Sequence, residues 1–166
     1  MRCPVCGFEN LLGSDVCDNC GSDLAGHDVP QSPTTFRGQL LGEHLDELGI
    51  APPETIDIEG TVDEAIRRMH DKGIDCVLVT AAGRLVGIFT DRDAVVKVAG
   101  QAVGSRSIAT LMTRDPVVLR HDETIAVAIN KMAVGGFRHI PIVEHGRPTG
   151  VVTARDVFRH LVESIA

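Results

Sequence analysis

Residues 83–95 read "GRLVGIFTDRDAV", and residues 146–158 return almost unchanged as "GRPTGVVTARDVF". Glycine, arginine, glycine, threonine, arginine and aspartate keep their places while the residues between them drift. Laid on itself at an offset of 63, the chain pairs residues 53–97 with 116–160 without a gap, and 12 of the 45 positions are identical. Ordinary composition gives about three identities over such a length, so the chain is internally duplicated.

Both copies carry the same pattern. "TVDEAIRRMHDKG" (61–73) and "TIAVAINKMAVGG" (124–136) place apolar residues at helical spacing, and Thr61 with Glu64 forms a capping box. A buried-strand run follows, "CVLVT" (76–80) or "HIPIV" (139–143), then a glycine turn and a second strand, "LVGIF" or "TGVV". A second helix begins at the threonine of Thr-x-x-Asp. With a short strand ahead of the first helix, in "ETIDI" (54–58) or "VVLRH" (117–121), the expected unit is βαββα. One unit of about 50 residues cannot bury its sheet alone. The expected fold class is therefore α+β, two βαββα repeats packed sheet to sheet, with clefts where the copies meet.

The ordered set "LVGIFTDRD", "TGVVTARD", "RHIPIV" and the inter-repeat stretch "IATLMTRDPVVLRHDETIAVAINKM" resembles a pair of CBS domains, the tandem module also called a Bateman domain. The resemblance covers residues 45 to 166, with expected repeats at 45–105 and 106–166. It implies a regulatory module that binds an adenosine nucleotide such as AMP, ADP or ATP, and a homodimer formed through the CBS pairs.

The Thr-x-x-Asp motif has two readings. As local structure it is a helix cap, in which the hydroxyl accepts a backbone N–H and the acid reaches back, contributing about 1 kcal/mol. As a binding element it offers backbone N–H groups and the positive end of a helix dipole to a phosphate. Its acid can accept from vicinal hydroxyls, as an acid does for ribose in dinucleotide folds. The CBS resemblance implies the second role for Thr90 with Asp93 and for Thr153 with Asp156. It sets adenine between Val118, Leu119, Ile140 and Pro141 in the second copy, and beside Ile56 and Val77 in the first.

The copies differ in charge. Arg138 and His139 stand where the first copy has Asp75 and Cys76. A cationic arginine and a titratable histidine suit phosphates, whereas Asp75 repels them. Arg92 and Arg155 lie inside the motifs and add charge from the first helical turns. The second copy is thus the expected site, and Asp156→Ala the more damaging change. Cys76, with no local partner to activate it, reads as a buried thiol.

Ahead of the repeats, Cys3, Cys6, Cys17 and Cys20 form two CxxC pairs, each followed by a glycine. This segment, residues 1–25, resembles a short zinc ribbon. The spacing points to one tetrahedral metal with four protein ligands and no open position, a structural rather than catalytic site. Zinc is the expected ion, and iron fits the same thiolate cage, which leaves a rubredoxin-like protein as an alternative. Residues 26–44 read as a linker and the start of a short helix, in which "LLGEHLDELG" (40–49) spaces Leu40, Leu41, Leu45 and Leu48 along one side.

Composition narrows the function. The 166 residues are 43% hydrophobic and 3% aromatic, with a net charge of −7. No run approaches the roughly 20 apolar residues of a membrane span, and the N-terminal residues lack an apolar signal core, so a cytoplasmic location is expected. The negative charge disfavours nucleic acid, since phosphate contacts need lysine and arginine. A nucleic-acid-associated regulator with the CBS pair as a dimerisation scaffold is the alternative to nucleotide sensing. No nucleophile with its base and no open metal site stands out, so the protein is expected to be non-enzymatic, acting on another protein chain.

Overall fold

The computed structural model describes residues 2–11, 14–24, 42–98 and 105–165. The chain divides into two compact units, Met1–Gln39 and Leu40–Ala166. Most of the expected linker, with Leu40 and Leu41, falls outside the described residues.

In the larger unit, β1 (Thr55–Asp57), α1 (Val62–Lys72), β2 (Cys76–Ala81), β3 (Arg84–Thr90) and α2 (Asp91–Val98) form the first repeat. After β4 (Thr113–Arg114), the second repeat follows as α3 (Ile125–Gly135), β5 (His139–Glu144), β6 (Arg147–Thr153) and α4 (Ala154–Ile165). Local chemistry sets the boundaries. Thr61 and Thr124 cap α1 and α3 by accepting the N–H of Glu64 and Val127. Both hairpins turn on a pair of positive-φ residues, Ala82–Gly83 and His145–Gly146, the backbone that suits the twist of a two-residue hairpin.

The first sheet runs β1-β2-β3-β4, with β1 parallel to β2 and the other pairs antiparallel. The second sheet consists of β5 and β6. The strand expected in "VVLRH" is only a parallel bridge between Leu119 and Ile142, held by Leu119 N–H to Pro141 O at 2.8 Å and Val143 N–H to Leu119 O at 2.9 Å. The register shifts at equivalent places, after Val79 and after Ile142.

The repeats meet through their hairpins, where Leu85 N–H donates to Gly146 O at 2.9 Å. Cys76, Leu78 and Ile88 pack there with Leu85 and Val151. The sheet-to-sheet arrangement expected from the sequence is present.

Each repeat is completed by the segment that leads into the other. Val62 N–H donates to Arg106 O at 2.9 Å, and Ile125 N–H donates to Glu43 O at 3.0 Å, two bonds related by the offset of 63. Ile108, Leu111 and Met112 are buried in the first repeat's core beside Ile56, Val77 and Phe89. Leu45 and Leu48, on a 3₁₀ turn, are buried in the second repeat's core beside Leu119, Ile140 and Ile142. The short helix anticipated around Leu45 is therefore an inlaid part of the second core.

This exchange explains the duplicated glycine of Gly-x-x-Thr. A Cβ on Gly87 would meet Thr113 O at 3.0 Å as well as the Met112 sulfur, and one on Gly150 would sit 2.6 Å from Ile50 Cγ2. The exchanged segments cross β3 and β6 at these points, and only glycine leaves them room.

Candidate ligand clefts and metal centre

Two clefts open beside the hairpins, and the offset of 63 relates them. The first, of about 420 Å³, is lined by Thr90, Arg92 and Asp93 of the first motif, by Pro116 and Val117 of the crossing segment, and by Phe137, Arg138 and His139 of the second repeat. The second, of about 430 Å³, is lined by Thr153, Arg155 and Asp156, by Pro53 and Glu54, and by Ile74, Asp75 and Cys76. Both sizes lie within the range of small-molecule sites, about 300–1,000 Å³. Each cleft joins the Thr-x-x-Asp of one repeat to the lead-in of a strand from the other.

That crossing corrects one expectation. Arg138 lies in the cleft of Thr90 and Asp93, and Asp75 lies in the cleft of Thr153 and Asp156. Arg138 precedes β5 of the second repeat, but the packing turns it towards the first motif. His139 borders both clefts. Burial holds its imidazole below the ordinary value, against the opposing pull of Asp91 and Asp75. Burial thus favours its neutral form, in which it can donate or accept a hydrogen bond.

The apolar expectations are corrected as well. Leu119 and Ile140 are wholly enclosed in the second core, Pro141 is buried, and Ile56 and Val77 are enclosed in the first core. Val118 is half-buried, and its carbonyl accepts from Lys131 Nζ at 2.9 Å. The apolar cleft walls are instead Ile88, Pro116, Val117 and Phe137 in one and Ile50, Pro53, Ile74 and Val151 in the other. Alternation along the strands gave little sign of this, because apart from Ile88 and Val151 the walls come from crossing segments and helix ends.

The Thr-x-x-Asp motif forms a cap in both copies. Asp93 Oδ2 accepts from Thr90 N–H at 3.0 Å and from Thr90 Oγ1 at 2.9 Å, while Asp93 N–H donates to that hydroxyl at 3.3 Å. Asp156 repeats the set with Thr153 at 3.0, 2.6 and 3.1 Å. The second carboxylate oxygen is held by Lys97 at 2.7 Å in the first copy and by Arg159 at 2.9 Å in the second. The helix N-termini are also occupied. Asp91 N–H donates to Asp75 O, Ala154 N–H to Arg138 O, and Arg92 N–H to Asp91 Oδ1. The N–H groups expected to cradle a phosphate are largely spent, and Arg92, Arg138 and Arg155 are cationic side chains that line the clefts.

Burial pushes the Cys76 thiol up to about 12, helped by Asp75 and Asp91. The thiol is buried on β2, as expected, and its protonated form is favoured.

In the smaller unit the four cysteine sulfurs all lie within 4.8 Å of one another. Cys3 and Cys20 are 3.7 Å apart, and Cys6 and Cys17 are 3.6 Å apart. Zinc–sulfur bonds of about 2.3 Å in a regular tetrahedron put sulfurs about 3.8 Å apart, so the cage fits a tetrahedral ion. The two knuckles match at an offset of 14. Gly7 N–H donates to Cys3 O and Gly21 N–H to Cys17 O, each at 2.9 Å, with both glycines at positive φ. The sequence reading missed Asn10. It is buried, donates to Cys17 Sγ at 3.5 Å and accepts Asp18 N–H at 2.9 Å, locking the knuckles together.

No helix among the described residues is long and apolar enough to cross a membrane.

Comparison with known proteins agrees with this architecture. A CBS domain-containing protein of Arabidopsis thaliana is 32% identical over 140 residues, covering 82% of this chain but 25% of that protein. The chain thus spans about a quarter of the length of that relative. The crystal structure of a CBS-domain-containing protein of Agrobacterium tumefaciens is 36% identical, with a TM-score of 0.62 over 69% of this chain and 87% of its own. A CBS domain protein of Pyrobaculum aerophilum, solved in complex with AMP, shares the fold at 22% identity, with a TM-score of 0.65 over 72% of this chain and 98% of its own. The CBS domain family matches twice, at residues 45–100 and 107–163; the chain belongs to that family, as a tandem pair preceded by a four-cysteine cluster.

Proposed function

We propose that this protein is a non-enzymatic sensor that binds an adenosine nucleotide of the AMP type in its paired clefts. The carrying observation is that each cleft takes its Thr-x-x-Asp from one repeat and its opposite wall from the other. A ligand there contacts both repeats at once and favours one mutual arrangement over another, the requirement for shifting a population. AMP in the related Pyrobaculum structure supports the ligand class.

In this reading the adenine lies against the proline and aliphatic wall. The ribose hydroxyls approach Asp93 or Asp156 at the oxygen now held by Lys97 or Arg159, and phosphate meets Arg138 and Arg92, or Arg155. The first cleft, which holds Arg138, becomes the stronger site. Calorimetric titration with AMP, ADP and ATP tests this. Asp93→Ala is expected to weaken AMP more than Asp156→Ala, each by about 1–3 kcal/mol, the loss of a hydrogen bond to a charged group. Absence of binding, or binding that survives both substitutions, would sink the proposal.

The ribbon holds zinc as a structural ion and presents a surface to an effector protein. Exposed Val5, Phe8, Leu11 and Val16 support that role. The apolar faces of α2 and α4, with exposed Val95, Val96, Phe158 and Val162, support a homodimer. A cytoplasmic setting suits four thiols kept for metal. Metal analysis of purified protein distinguishes zinc from iron, which absorbs visibly in a four-thiolate cage.

A further inference from the structure

Both clefts carry an internal anion. At the first, Asp91 Oδ1 accepts Arg92 N–H at 2.7 Å, and Asp91 Oδ2 lies 3.6 Å from Arg138 Nη2. At the second, Asp75 Oδ2 lies 3.6 Å from Arg155 Nη2. In each case the acid comes from the first repeat and the arginine from the second. The acid sits beside the first turn of the helix that follows the motif, at the arginine best placed to meet a ligand phosphate. We infer that Asp91 and Asp75 are built-in counter-ions that a ligand's phosphate must displace, and that they set how strongly each cleft prefers phosphorylated over unphosphorylated adenosine. The inference rests on the nucleotide reading above.

The carboxylate and a ligand's phosphate compete for the same arginine. All four side chains are substantially exposed, from 42% to 76%, and the separations exceed a close hydrogen bond. Such pairs hold weakly, whereas a phosphate brings more charge and can bind arginine through two bonds. The displaced carboxylate stays nearby and repels the phosphate, so each acid lowers phosphate affinity without touching the nucleoside. Displacement also cuts an ion pair between the repeats, which ties phosphate occupancy to their mutual arrangement.

The test is calorimetry with AMP and with adenosine on the full chain and on Asp91→Asn and Asp75→Asn, which keep side-chain shape and remove charge. Each substitution is expected to tighten AMP about two- to fivefold, the range of an exposed ion pair, to leave adenosine unchanged, and to lose its effect at high salt. Arg138→Gln and Arg155→Gln are each expected to weaken AMP alone, and each serves as the reporter for its own cleft should Asp91→Asn or Asp75→Asn fold poorly. Parallel changes for both ligands, or no change for AMP, would overturn the inference while leaving the nucleotide reading intact. If the wild-type chain binds neither ligand, both fall together.

Discussion

The ribbon and the CBS pair are both made of two like halves, at offsets of 14 and 63 residues, yet they close by opposite means. The ribbon's knuckles bury Cys3, Cys17, Leu24 and Asn10, too little apolar surface to hold about 20 residues. In the proposed reading, four thiolates around one ion supply what the core lacks. The larger unit has two apolar cores, and its halves trade segments so that Leu45 and Leu48 fill the second core while Ile108 and Leu111 fill the first. Length separates the two: the long duplicate closes by exchange, and a metal is the proposed closure of the short one.

The largest effect expected from breaking this contrast is on the ribbon. Chelation, or Cys17→Ser, removes metal binding that is about 10–16 kcal/mol in structural zinc sites, and should unfold residues 2–24 while the main thermal transition stays put. Amide NMR shifts and calorimetry would report it. A main transition that falls with the metal would mean the units are not independent.

Next in size is the exchange itself. Leu45→Ala and Ile108→Ala are each expected to cost about 2–5 kcal/mol in denaturant unfolding. The telling measurement is hydrogen exchange. Leu45→Ala should loosen α3, β5 and β6, and Ile108→Ala should loosen α1, β2 and β3, each reaching the repeat it does not precede. Loosening confined to the adjacent repeat would contradict the exchange.

The smallest effect concerns His139. Its folded-state value is depressed by burial, so the unfolded chain binds the proton more readily. Stability is then complete above the unfolded value of about 6.5 and declines as pH falls below it towards the depressed one. His139→Gln should flatten that decline in thermal melts between neutral and mildly acidic pH. A slope as steep as the wild type's would assign the decline to another group.

Much of the fold was legible in the sequence because its signals are local and repeated. Thr61 and Thr124 announce helix starts, Gly83 and Gly146 announce hairpins, and the CxxC pairs announce a cage. The clefts were half legible. Thr90, Asp93, Thr153 and Asp156 stand at them, and in both copies the cap and the candidate ligand acid are the same residues. Their partners were not legible, because Arg138 belongs by sequence to the second repeat and by packing to the first motif.

The sequence by itself determined the duplication, the helices and hairpin of each repeat and the clustering of the four cysteines, since each follows from hydrogen bonding or spacing within a few residues. Tertiary structure alone decided which motif faces which charge, which core each leucine fills, and that Gly87 and Gly150 serve a crossing chain. Those depend on contacts between residues far apart in sequence, where burial and room, not local propensity, settle the outcome.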